Sequence, residues 1–285
     1  MGKSPRRVII RVCSTGGAQG FALAQYHPEL FDGIIAGTPG NWYSHLALSF
    51  QWNAQKTSTN SSFLSQALLN LTGKAVLKAC DALDGVEDGV IENPLKCDFD
   101  ITSLACGAEG AKSSACLTEE QIKAAKAIYA GPVNAQTGAQ LYPGFDFGSE
   151  VEWALQEGIL SNAFAVPILQ NLVYDDLEYE AERFNWASDV KDAEEKAGGF
   201  IDEIAVDLTA FRKRGGKLLV TQGWADPFNA ATWPIQHMDQ IKDFFGGDIS
   251  DFFNLFMIPG GDHCGPASSY PSVPSTYHSV PHLVS

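Results

Sequence analysis

The run Val12-Cys13-Ser14-Thr15-Gly16-Gly17 constrains this 285-residue chain more than any other stretch. It follows the apolar β-branched segment Val8-Ile9-Ile10 and leads into a helix-compatible segment, residues 18–26. Strand, tight turn of small residues, helix is the setting in which a serine hydroxyl is lifted out of the backbone. A helix starting at such a turn aims the positive end of its dipole at the space beside the serine, where an oxyanion can develop. Taken alone, Ser-x-Gly-Gly is an ordinary turn. Its meaning depends on what stands elsewhere in the chain.

Two later stretches give it meaning. Ile258-Pro259-Gly260-Gly261-Asp262-His263-Cys264-Gly265 follows the apolar run 252–257, so a histidine sits in a Gly-rich loop just past a strand. That suits a general base that reaches across a sheet edge. Lys217-Leu218-Leu219-Val220-Thr221-Gln222-Gly223-Trp224-Ala225-Asp226 is another strand, followed by a turn ending in an acid. The order Ser14, Asp226, His263 is the order of α/β-hydrolases and differs from those of chymotrypsin and subtilisin. Ser14 is then the candidate nucleophile, His263 its base, and Asp226 the group that fixes the tautomer. Asp262 is a rival for the acid, but it adjoins His263 and would have to fold back. Cys13 directly precedes the serine and Cys264 directly follows the histidine. If Ser14 and His263 touch, these cysteines are neighbours and can bond.

Cys-Ser…Asp…His-Cys resembles the fungal and bacterial tannase/feruloyl esterase family. Five stretches carry the resemblance: residues 13–39, 80–100, 142–153, 211–230 and 253–264. It implies a serine carboxylic-ester hydrolase of the α/β-hydrolase fold with a large inserted lid domain. Its substrates would be small-molecule or polysaccharide-linked aromatic esters, hydroxycinnamoyl first and galloyl as the alternative. An inactive remnant of the family is the reading from another class. The oxyanion hole would use the backbone N–H of Thr15, the residue after the nucleophile.

Six cysteines stand at 13, 80, 97, 106, 116 and 264. An even number in an acidic chain favours three bridges, although six allow 15 pairings. The resemblance implies Cys13–Cys264, Cys80–Cys97 and Cys106–Cys116. Disulfides and two sequons, at Asn60 and Asn70, fit a secreted glycoprotein. The net charge of −15 argues against nucleic acid and anionic membrane surfaces as partners. No signal peptide is visible: the basic start 1–7 lacks the apolar core that follows in one, and no stretch is long enough to span a membrane.

Residues 8–50 read as strand, elbow, helix and a second, all-apolar strand, 33–37, suited to a buried parallel sheet. Residues 205–265 return to strand-turn-helix grammar, with a helix over 231–245. The division expected is a catalytic domain over 1–50 and 201–285, with a lid over 51–200. In the lid, residues 63–77 are helix-like, and Thr118-Glu119-Glu120-Gln121 is a capping box opening another helix. Residues 189–196 suit a solvated helix face. His27 should end a helix before Pro28. His45, His237, His278 and His282 match no motif, and the tail 266–285 has no periodicity.

The run 80–91 holds three aspartates and two glycines and can offer hard oxygens to Ca²⁺. It is only partly like an EF-hand. Counting from Asp84, Asp88 and Gly89 fall at places five and six, but Val86 stands third and Leu95 twelfth, where a Glu is needed. By itself such a run is an acidic surface turn. The resemblance implies a structural calcium held by side chains of Asp81, Asp84 and Asp88 and carbonyls of Val86 and Val90.

The chain also departs from the family's pattern. Val12 stands where the family has glycine, and Ala18 where it commonly has arginine. A branched side chain at Val12 is expected to crowd the elbow. Only seven residues precede Val8, so the early strands of the fold, and the second oxyanion donor, are expected outside this chain. The helix expected after the histidine loop is not evident.

Overall fold

The computed structural model describes residues 7–107 and 115–265. Four strands, Ile9–Cys13 (β1), Gly33–Gly37 (β2), Lys217–Gly223 (β3) and Phe253–Ile258 (β4), form one parallel sheet in the order β1-β2-β3-β4. The β2 sequence Gly-Ile-Ile-Ala-Gly has no polar position, and all five of its residues are buried. Register brings the strand ends level: Cys13 faces Gly37, Gly37 faces Thr221, and Gly223 faces Ile258. The loops after β1, β3 and β4 therefore emerge side by side at the carboxyl edge, where ligands bind in open α/β sheets. Among the described residues β1 is paired on one side only, and Val8 and Ile9 are exposed.

Helix α1 (Thr15–Tyr26) follows the elbow and packs Phe21 and Ala24 on Ile34, Leu218 and Phe253. The crowding expected from Val12 is relieved by this helix. A Cβ at Gly16 would lie 3.3 Å from Val12 Cβ. One at Gly20 would lie 3.1 Å from Val12 Cγ2 and 2.9 Å from Ile34 Cγ2. Bare glycines on the facing turns of α1 leave room for the branched side chain, and Ser14 keeps the positive φ of the elbow, 62°. On the far side of the sheet edge, a Cβ at Gly223 would be 2.2 Å from the Gly261 carbonyl oxygen. The aspartate and histidine loops can touch because position 223 carries no side chain.

Residues 38–216 form one long excursion between β2 and β3. It contains α2 (Tyr43–Thr57), α3 (Gln66–Cys80) and α4 (Glu119–Ala130), then short helical turns. Thr118 and Gln121 form the expected capping box at the start of α4. The segment 189–201 is helical, with charged residues outward and Val190, Ala193 and Ala197 buried. The division expected at 50/51 falls inside α2, a continuous helix. Leu46 and Phe50 of α2 share a core with Ile122, Ile128 and Trp153 of the excursion and with Ala230 and Trp233 beyond β3. The helix Trp233–Phe245 leads to β4. His27 caps the end of α1. Residues 266–285, with His278 and His282, lie outside the described residues.

Gly20→Val should destabilise the fold by roughly 2 kcal/mol or more, since an overpacked core costs typically 1–3 kcal/mol and helix propensity returns only a few tenths. Denaturant unfolding measures it. An unchanged midpoint would show that α1 does not lie this close to Val12 and Ile34.

Candidate active site

Ser14 sits between β1 and α1, half-buried, with its N–H donating to the Gly37 carbonyl at 3.0 Å. His263 follows β4, and its Nε2 lies 2.7 Å from Ser14 Oγ. Asp226 follows β3, and both its carboxylate oxygens face His263 Nδ1, at 3.1 and 3.0 Å. A carboxylate only accepts, so Nδ1 carries the proton and neutral Nε2 accepts from the serine hydroxyl. The structure thus brings together the three residues read from the sequence.

Asp226 is fully buried and held on several sides. Its Oδ1 accepts from the N–H groups of Phe228 and Asn229, at 2.8 and 3.0 Å. Its Oδ2 accepts from Gln222 Nε2 at 2.9 Å. Such bonds fix the carboxylate's direction, so the imidazole it orients has little freedom. Burial works against a charged His263. The nearby charge of Asp226, its hydrogen bond and the charge of Asp262 more than offset that, so the pKa rises above the usual 6.5. Asp262 has a different place. Its Oδ1 accepts from the His263 backbone N–H, and burial foremost pushes its carboxyl up to about 6.

The Cys13–Cys264 disulfide joins the residue before Ser14 to the residue after His263, with Cα atoms 6.0 Å apart. Cys80–Cys97 and Cys106–Cys116 are the other two bridges. All three pairings are those the resemblance implied.

Ser14 and His263 open into a cleft. Its walls are aromatic and apolar: Tyr43, Leu46 and Phe50 from α2, Phe164 from the excursion, and Phe228 beyond Asp226. Phe228 lies against the His263 ring at 4.7 Å, and Phe164 meets the rings of Tyr43 and Phe50 at 6.3 and 5.8 Å. Phe164 comes from a π-helical turn, Ser161–Ala165, a rare wide coil found frequently at functional sites. Thr15 lines the same cleft as the first residue of α1. No motif singled out the wall residues. Phe228 and Asn229 could have been found by their closeness to Asp226, whereas nothing local marks Tyr43 or Phe164.

Two histidines without a motif are structural. His45 is buried between the Leu141 carbonyl and Glu194 and stacks on Trp42. His237 is buried against Asn41, and burial lowers its pKa to about 4.

In the acidic loop the three carboxylates bond backbone amides. Asp81 accepts from the amides of Asp88 and Gly89, Asp84 from that of Val86, and Asp88 from that of Val90. Each carboxylate thus holds its own turn. Among the described residues no group of three or more His, Cys, Asp or Glu side chains is placed to hold a metal ion.

Comparison with known proteins gives this geometry a context. The family described as tannase and feruloyl esterase matches residues 1–279. The chain is 34% identical to an uncharacterized esterase of Xanthomonas campestris pv. campestris, over 90% of this chain and 50% of that protein. It is 30% identical to a probable feruloyl esterase B-1 of Aspergillus flavus, over 88% of this chain and 48% of that protein. Feruloyl esterase B from Aspergillus oryzae superposes with a TM-score of 0.83 at 27% identity, covering 92% of this chain and 53% of that one. Tannin acyl hydrolase from Aspergillus niger, at 18% identity and a TM-score of 0.81, shares the fold over 100% of this chain and 57% of that one. The chain spans about half the length of the curated relatives it matches. On the extent of these matches, the chain belongs to the tannase and feruloyl esterase family.

Proposed function

We propose that this chain carries the reacting residues of a serine carboxylic-ester hydrolase acting on esters of aromatic acids. The observation that carries the reading is the hydrogen-bonded series Ser14–His263–Asp226 at the floor of a cleft walled by Phe50, Phe164 and Phe228. His263 Nε2 takes the proton as Ser14 Oγ attacks the ester carbonyl, and Asp226 stabilises the imidazolium that forms. The Thr15 N–H and the start of α1 face the developing oxyanion. His263 then gives its proton to the departing alcohol, and water releases the acid by the same steps in reverse order. Aromatic walls favour a flat acyl group by stacking and burial. A hydroxycinnamoyl ester is preferred to a galloyl ester, because relatives at 30% identity or more are named feruloyl esterases, whereas the tannin acyl hydrolase similarity is one of fold.

The same proposal assigns the sheet-bearing part to an α/β-hydrolase catalytic domain and the excursion between β2 and β3, which supplies Phe164, to a lid, with α2 running across the boundary expected at residue 50. Three disulfides and the sequons at Asn60 and Asn70 support an oxidising, extracellular location. No helix among the described residues is long and apolar enough to cross a membrane. Calcium at Asp81, Asp84 and Asp88, with the carbonyls of Val86 and Val90, is a separate proposal. Its support is the loop's composition and the resemblance. Asp84 and Asp88 each accept an amide through Oδ1, so their Oδ2 atoms can turn to the ion, whereas Asp81 accepts on both oxygens and would give up the Gly89 bond at one of them.

Ser14→Ala tests the main reading: it should abolish hydrolysis of methyl ferulate without changing the melting curve, and retained turnover would sink it. The pH profile tests the roles of His263 and Asp226. Attack needs neutral imidazole, so the rate should rise with pH through a pKa above 6.5. Asp226→Asn removes most of what raises that pKa and leaves burial, the largest influence, which lowers it against the smaller pull of Asp262. The limb should then move below 6.5 while the plateau falls by roughly 10³–10⁴-fold. A limb that stays in place would remove Asp226 from the series. For calcium, melting is compared with and without a chelator. Saturation a hundredfold above Kd adds about 2.7 kcal/mol to the folded state, so identical curves would leave the loop an acidic surface turn.

A further inference from the structure

Among the described residues four that are not glycine have positive φ, and three of them meet around one disulfide. Ser14 (62°) owes its conformation to the elbow, and Cys264 (61°) closes the histidine loop. Thr38 (36°) is harder to account for, because a β-branched residue is strongly disfavoured there. Such strain persists only where the surroundings over-determine it, and it clusters at functional sites.

The surroundings of Thr38 do over-determine it. The residue is fully buried. Its Oγ1 lies 3.2 Å from Cys13 Sγ and 3.2 Å from Cys264 Sγ. Disulfide sulfurs carry no proton, so the hydroxyl is the donor and shares one proton between them. Its N–H donates to the Thr221 carbonyl of β3 at 2.7 Å. Its own carbonyl accepts from Asn229 Nδ2 at 2.7 Å, and the Asn229 N–H ends on Asp226 Oδ1. One residue back, the Gly37 carbonyl receives the Ser14 N–H. The serine turn, the aspartate turn and the cysteine beside His263 are thus each tied to this position, directly or through one neighbour.

We propose that Thr38 is a positioning residue for the acyl transfer, its hydroxyl seating the Cys13–Cys264 bond and its backbone fixing the Asp226 turn against the Ser14 turn. The inference rests on the reading of Ser14 as nucleophile. A threonine that merely filled the core would be replaceable by valine, which has the same shape and no hydroxyl.

The test uses diethyl p-nitrophenyl phosphate on the full chain. Ser14 Oγ bonds to phosphorus, p-nitrophenolate leaves with the bonding pair, and His263 takes the hydroxyl proton. Nitrophenolate release gives the rate, and mass spectrometry identifies the labelled residue. Thr38→Val should lower the limiting labelling rate about tenfold with the half-saturating concentration unchanged, the signature of sub-ångström misplacement of reacting groups. Thr38→Ser, which keeps the hydroxyl, should recover most of the rate. Thr38→Ala replaces the valine variant if that one does not fold, with the same expectation. Non-reducing mass spectrometry checks that the disulfide is formed in each. If the valine or alanine variant labels at the wild-type rate, Thr38 is core filler and the inference fails while the Ser14 reading stands. If the wild-type chain is not labelled at Ser14, the reading of the nucleophile fails, and this inference with it.

Discussion

Ser14 and His263 stand 249 residues apart in the chain and 2.7 Å apart in the fold, and the Cys13–Cys264 bond spans the two turns that bear them. A closure of 251 residues stabilises the folded state by roughly 5 kcal/mol through the lost entropy of the unfolded chain, on a model-dependent account. The local effect matters more for chemistry. Parallel register already levels the ends of β1, β3 and β4, yet register alone sets loop positions only to within the play of flexible turns. A covalent bond between the neighbours of Ser14 and His263 removes that play. Van der Waals contact of Gly223 with the histidine loop and the hydrogen bonds around Asp226 then complete a constellation with few free torsions.

The cleft is made by two parts of the chain that pack as one. Phe228 belongs to the turn after β3, Tyr43 and Phe50 to α2, and Phe164 to a π-helical turn of the excursion. The core beneath them joins Leu46, Phe50 and Trp153 to Ala230 and Trp233 without a break. An excursion anchored in this way does not behave as a loose cover, because moving Phe164 would expose apolar area shared with the sheet-bearing part. At about 25 cal/mol per Å², even a modest separation costs several kcal/mol. The walls of the cleft beside Ser14 are therefore held in place by a core common to both parts.

Sequence and structure agree best where chemistry forces a local signature. The all-apolar β2 was legible to the residue, because burial on both faces leaves no polar position. The serine turn, the acid after β3 and the histidine after β4 were legible because strand-turn boundaries are written in small residues. The capping box at Thr118 was legible for the same reason: a helix start needs named side chains. What could not be read is packing at a distance. Val12 looked wrong for an elbow until the bare turns of α1, at Gly16 and Gly20, were seen to face it. Residue 50 looked like a boundary because strand grammar stops there, but α2 runs through it. Tyr43, Phe164 and Thr38 reach the site through the fold, and no short window of sequence contains both them and Ser14. At the acidic loop composition does not decide: the run alone reads as a surface turn, the resemblance implied a cation, and each aspartate bonds a backbone amide of its own turn.

Burial sets two opposing demands on pH. Desolvation raises the carboxyls of Asp146 and Glu157 to about 7 and that of Asp262 to about 6, and it raises Glu150 and Asp202 as well. A raised acid binds its proton more tightly in the folded chain than in the unfolded one. Its contribution to stability is thus full below the ordinary carboxyl range near 4 and is lost as pH rises through about 7. Acids held low, such as Asp32, Asp100 and Asp248, act in the other sense, but they are surface groups whose effect is screened. These buried carboxyls favour the fold in acid, and buried His237, whose pKa falls to about 4, works against them as pH drops below 6.5. The reaction proposed for Ser14 pulls the other way, since His263 must be neutral to accept a proton and its neighbouring carboxylates keep it charged to a higher pH than usual. Asp226 cannot be exchanged for a neutral group to relieve this, because the same charge stabilises the imidazolium during attack. A chain of this design trades fold stability against fraction of active base across the interval between about 4 and 7, and three disulfides are a pH-independent means of holding the fold at its upper end.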